Sequence, residues 1–132
     1  MGDAPFRLYD HVDLRVRDLA NARAFYDPLM RALGLRGRPA LSEGRVWTYL
    51  RVHERTAHEA FTLTQDAAHA VNAARIAFGA TTREDVDRVA DVARLAGATN
   101  YEAPHLCPEY APTYYAAFFD DPDGNKLEVV VR

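Results

Sequence analysis

The sequence predicts an α+β protein in which one strand–helix–strands unit occurs twice, and three observations carry this. Apolar residues alternate over His11–Val16 and then recur at helical spacing up to Gly34. The same order returns between Arg75 and Gly97. From first strand residue to closing glycine the two stretches advance by 23 and 22 positions, and they lie about 64 positions apart. Each half would be a sheet with a helix on one face, and the free faces could curl into a cup with His11 and Arg75 on its floor.

In the first half, Val12, Leu14 and Val16 point one way and His11, Asp13 and Arg15 the other, as in a half-buried strand. Asp18 offers an N-cap oxygen to a helix whose buried stripe is Ala22, Phe25, Tyr26, Leu29 and Leu33. Gly34 suits the left-handed residue that closes it. Pro28 lies inside this stripe and predicts a kink or a broken last turn. Two strands follow, Val46–Val52 and Ala60–Thr64, with His53–Glu59 as a polar connection. In the second half Arg75–Ala80 reads as a strand. Thr81 with Glu84 matches a capping box, and Thr82 with Asp85 is a weaker second register. A helix with Val86, Val89, Ala90, Ala93 and Ala96 inward stops at Gly97. Tyr114–Phe119 and Lys126–Val131 then form a hairpin about Asp121-Pro122-Asp123-Gly124-Asn125, where proline presets the turn and Gly124 supplies positive φ.

The chain has 132 residues, which predicts a single domain over 1–132, with unit one at about 8–65, a linker at 66–74 and unit two at about 75–132. Its net charge of −3 is spread along the sequence, so neither a nucleic-acid footprint nor a polybasic membrane anchor is expected. Apolar runs fall far below the roughly 18–20 residues that span a bilayer, and the N-terminus lacks the apolar core of a signal peptide. A soluble, cytoplasmic protein is expected. One cysteine, Cys107, excludes an intramolecular disulfide and a thiolate-rich metal site.

Several segments together resemble the vicinal oxygen chelate superfamily of glyoxalase I, bleomycin- and fosfomycin-resistance proteins and extradiol dioxygenases. They are His11–Val16, Phe25-Tyr26, Leu33-Gly34-Leu35, Arg75-Ile76-Ala77-Phe78 and Asp121–Glu128. Pro108–Phe118 is similar to bacterial members described only as glyoxalase/bleomycin resistance protein/dioxygenase. The resemblance implies paired βαβββ modules forming a cupped mixed β-sheet with helices on the outer face, a homodimer, and in active members a divalent metal on the cup floor.

It also implies where ligands would stand: on the first and last strands of each module. His11 takes the first position, and imidazole suits Zn, Mn, Ni or Fe. Glu128 takes the position on the last strand. Two positions depart from the pattern. Arg75 stands where a histidine is usual, and Thr62 is nearest to the glutamate position of the first module. A guanidinium stays protonated and cannot ligate. The set His11 and Glu128 is therefore incomplete, and Arg75 is expected to hydrogen-bond Glu128 in place of a metal.

The remaining candidates are weaker. His53 and His58 flank a polar connection and read as solvated. His69 sits in the linker, and His105 in a Pro-rich stretch from which it could fold over the cup. Cys107 has no activating neighbour visible in the sequence and reads as an ordinary thiol. Tyr49, Tyr110 and Tyr114, with Thr62, are candidate pocket-lining residues, since phenols give apolar walls with a polar tip.

Two function classes stay open. One is a protein of unassigned activity that binds a small molecule in the cup, with a degenerate or absent metal site. The other is a divalent-metal-dependent lyase, isomerase or dioxygenase acting on a vicinal-oxygen substrate. A metal-free enzyme, with Arg75 as electrophile and His11 or Glu128 as base, is a third option. A two-fold homodimer is expected, because open sheets leave edges and apolar faces to cover.

Overall fold

Alternating strands and two capped helices fold as the repeat predicts. The elements are β1 (His11–Val16), α1 (Leu19–Ala32), β2 (Arg36–Pro39), β3 (Val46–His53), β4 (Thr56–Gln65), β5 (Arg75–Gly79), α2 (Arg83–Leu95), β6 (Thr99–Leu106), β7 (Tyr115–Asp120) and β8 (Lys126–Val131). The structure is a computed structural model that describes residues 8–40, 44–53 and 56–132, apart from the side chains of 52–58. His53 and His58 therefore lie outside the described side chains.

The strands form two mixed four-stranded sheets, ordered β1-β4-β3-β2 and β5-β8-β7-β6. In each, the first strand of the module pairs parallel with the last, and the other pairs are antiparallel. Among the described residues no strand ladder joins the two sheets, so His11 and Arg75 stand on separate floors.

The two modules share one core instead. Val16, Phe61 and Leu63 of the first sheet and Phe119, Leu127 and Val129 of the second pack with the buried stripes of α1 and α2. The rings of Phe61 and Phe78 approach to 5.5 Å, and those of Phe25 and Phe119 to 6.5 Å, so aromatic contacts cross between modules. Because side chains alternate along a strand, the opposite face of each sheet is turned away from this core. None of the described helices is long and apolar enough to cross a membrane.

The structure corrects four local expectations. Helix α1 runs unbroken through Pro28, because Ala24, whose carbonyl loses its donor, is exposed to water. The N-cap of α2 is Thr82, which accepts from the Asp85 amide at 3.1 Å, so the second capping register prevails over Thr81. Strands β3 and β4 extend into the presumed polar connection, reaching His53 and starting at Thr56. Two edge strands, β2 and β6, gave no sequence signal. Both contain a proline, tolerated where one side of the ladder is open, and β6 breaks register with β7 twice.

Candidate functional site

The outward face of the second sheet carries a hollow of about 400 Å³. Its register explains the lining. Leu127 and Val129 of β8 turn to the core, so Glu128 between them turns outward. Ile76 and Phe78 of β5 likewise leave Arg75 on the outer side. Tyr114, just before β7, and Cys107, just after β6, close the floor and are joined by a backbone hydrogen bond of 2.7 Å. Tyr110, Glu109, Glu102, His105 and Phe118 form the walls.

Glu128 is only 5% exposed, and its carboxylate accepts the Tyr114 hydroxyl. Burial first, and then this carboxylate, push the Tyr114 phenol up to about 12, so it remains a donor at neutral pH. The Arg132 guanidinium lies 4.9 Å from the Tyr114 ring centre. Tyr110 and Tyr114 have ring centres 5.1 Å apart and make an aromatic wall.

Arg75 does not make the expected bond to Glu128. Its guanidinium donates to the Leu127 carbonyl at 3.5 Å and lies 5.0 Å from the Phe118 ring centre. Tyr114 holds the carboxylate in its place. Arg75 still lines the same hollow, with guanidinium donors available to a bound oxygen atom.

His105 and Cys107 are closer to chemistry than the sequence suggested. The His105 Nδ1 bonds the Ala103 carbonyl at 2.9 Å, while Nε2 is 3.2 Å from Glu102 and 3.5 Å from the Cys107 sulfur. The thiol is nevertheless suppressed as an anion. Burial, and then Glu109, Glu102 and Glu128, raise its pKa above the ordinary value. Sequence reasoning missed Glu102, Glu109 and Phe118. Glu102 lies on the irregularly paired β6 and Glu109 in the turn after it, where no alternation marks a face. Phe118, directly opposite Glu128 in the β7–β8 register, was within reach of the hairpin pattern.

The other predicted residues lie elsewhere. His11, half exposed, is on the outward face of the first sheet, with Nδ1 held by Asp10 at 2.8 Å. Thr62 shares that face and bonds the Thr48 hydroxyl at 3.0 Å, and Asp13 there accepts from Thr64 at 2.8 Å. Tyr49 points the opposite way, into the core beside α1, donating to Asp27 at 2.6 Å. His69 is a linker group, 2.9 Å from Asn125. The hollow thus brings together Arg75, Tyr110, Tyr114 and Glu128, and leaves His11, Thr62 and Tyr49 outside.

The donor set of one chain does not fit a divalent ion. Among the described residues no three His, Cys, Asp or Glu side chains converge as ligands, and the Glu128 carboxylate is engaged by a phenol.

A family model described as the Glyoxalase/Bleomycin resistance protein/Dioxygenase superfamily matches residues 8–129. A glyoxalase/bleomycin resistance protein from Albidiferax ferrireducens T118 is 25% identical with a TM-score of 0.76, over 96% of this chain and 99% of that one. The genomically encoded fosfomycin resistance protein FosX from Listeria monocytogenes is 17% identical with a TM-score of 0.70, over 97% and 95%. A glyoxalase/bleomycin resistance protein/dioxygenase family enzyme from Burkholderia phytofirmans PsJN is 19% identical with a TM-score of 0.68, over 92% and 96%. The last two likenesses concern the fold alone. No curated protein matches the chain.

Proposed function

Because the chain belongs to the Glyoxalase/Bleomycin resistance protein/Dioxygenase superfamily, we propose that it binds a small molecule in the hollow of its second sheet, with a degenerate or absent metal site. The observation that carries this reading is the Tyr114–Glu128 pair at the floor of an aromatic-walled cavity. A nearly buried carboxylate held by one phenol keeps lone pairs for a ligand's donors. Glu102 and Glu109 on the walls add negative charge, and Tyr110 and Phe118 add flat apolar surface. That chemistry suits a ligand with a flat apolar part and an amine or amide edge. Arg75 would bind an oxygen on the same ligand.

The protein is proposed to work as a homodimer in the cytoplasm. The outward face of the first sheet, with His11, Asp13 and the Thr48–Thr62 pair, has no covering element among the described residues and is the surface a second copy would meet.

One observation favours the second reading, a divalent-metal-dependent lyase, isomerase or dioxygenase. The Asp10 carboxylate orients the His11 ring through Nδ1, as a supporting carboxylate does for a ligating imidazole. A metal would then need His11 and Glu128 from two different copies.

Metal analysis of protein purified without a histidine tag separates the two. The binding reading expects less than about one-tenth of an ion per chain, and saturable ligand binding that Glu128→Gln weakens. Stoichiometric metal that is lost in both His11→Ala and Glu128→Gln would replace it with the metal-enzyme reading.

A further inference from the structure

A second hollow, also of about 400 Å³, lies on the other side of the first sheet, between α1 and the edge formed by β2 and β3. Arg23, Asp27 and Arg31 reach it from successive turns of α1, and Arg36 reaches it from β2. Trp47 and Tyr49 of β3 supply the apolar wall.

The charges do not balance within the hollow. Asp27 is already neutralised, by Arg23 at 3.1 Å and by the Tyr49 hydroxyl at 2.6 Å. The Arg23 guanidinium also lies 3.4 Å from the Trp47 ring centre, which fixes its plane. Among the described residues, Arg31 and Arg36 have no hydrogen-bond or ion-pair partner. Three guanidinium groups therefore converge on one concavity against a single, occupied carboxylate. Three arginines elsewhere are held locally: Arg51 by Glu59 and the Leu33 carbonyl, Arg88 by Asp85 and the Ala32 carbonyl, Arg94 by Asp91. The Trp47 and Tyr49 side chains also lie directly over Gly37 of β2. A Cβ on Gly37 would stand 2.3 Å from the indole nitrogen of Trp47.

We propose that this hollow is a binding site for a small dianionic oxyanion, a phosphate ester or a dicarboxylate, gripped by Arg31 and Arg36 against the Trp47 wall. The excess of two positive charges over the one carboxylate sets the ligand's charge. The fork geometry of guanidinium sets its oxygen chemistry. This site is separate from the hollow of the second sheet, so either can be absent without affecting the other.

The chain has one tryptophan, and it is in this wall, so intrinsic fluorescence reports on the site alone. Inorganic phosphate and succinate would be titrated separately at constant ionic strength, with chloride as the reference salt. A saturable change in Trp47 emission is expected with phosphate, succinate or both, and the pattern tells a phosphate site from a dicarboxylate site. The double variant Arg31→Met with Arg36→Met should weaken binding by at least about tenfold, while lysine at both positions retains part of it. Both arginines are exposed, so an unchanged thermal melt is expected and confirms that the variant is folded. No saturable change with either probe, the same change with chloride, or undiminished binding in the double methionine variant would overturn the proposal.

Discussion

The Tyr26 hydroxyl of α1 donates to the Asp121 carboxylate at 2.6 Å, joining the two modules across 95 positions. Asp121 is fully buried, and the same carboxylate accepts the Asp123 and Asn125 amides and the Asn125 side chain. Asn125 in turn donates to the Arg15 carbonyl and meets His69. The turn between β7 and β8 is therefore also the clamp that fastens the second module to the first.

Tyr26→Phe should destabilise the protein by about 1–3 kcal/mol, because a buried carboxylate loses a donor with nothing to replace it. Urea unfolding of both proteins measures this. A loss under about 0.5 kcal/mol would show that the other bonds to Asp121 suffice.

Alkali should weaken the fold through the same phenol. Burial first, and then Asp121, raise the Tyr26 pKa well above its ordinary value, and burial followed by Asp27 raises that of Tyr49. A raised phenol pKa contributes stability below pH 10, where the unfolded chain is still protonated. That stability falls as pH rises past 10, by up to about 1.4 kcal/mol per pH unit for each phenol. Replacing both by Phe should flatten the decline between pH 10 and 11, measured by unfolding at each pH.

Gly37→Ala should destabilise by about 1–3 kcal/mol, since the added methyl meets Trp47 at 2.3 Å and Tyr49 at 2.8 Å. A shift in Trp47 emission should accompany the loss. Unchanged emission and stability would mean that β2 moves away freely.

Within the hollow of the second sheet, the coupled pair is Tyr114 with Glu128, not Arg75 with Glu128. A double-mutant cycle with Tyr114→Phe and Glu128→Gln should give a coupling of about 1–2 kcal/mol. The cycle with Arg75→Met and Glu128→Gln should give less than half of that. The reverse order would place the guanidinium on the carboxylate in solution.

Features that depend on near neighbours were legible in the order of residues. The alternation in His11–Val16 and Lys126–Val131 set which side chains face the core, and so put Glu128 outward between Leu127 and Val129. Asp18, Gly34 and Gly97 marked helix ends, because caps and left-handed residues act within a turn of the chain. Edge strands β2 and β6 were silent, since their pairing is imposed by β3 and β7 rather than by their own patterns. Which side chains share a site was settled by long-range packing. It placed His11 and Glu128 on separate sheets, gave Glu128 a phenol instead of a guanidinium, and turned Tyr49 toward α1. Those outcomes depend on how two sheets pack around a shared aromatic core, a long-range choice made by the fit of Phe25, Phe61, Phe78 and Phe119 and absent from any local spacing.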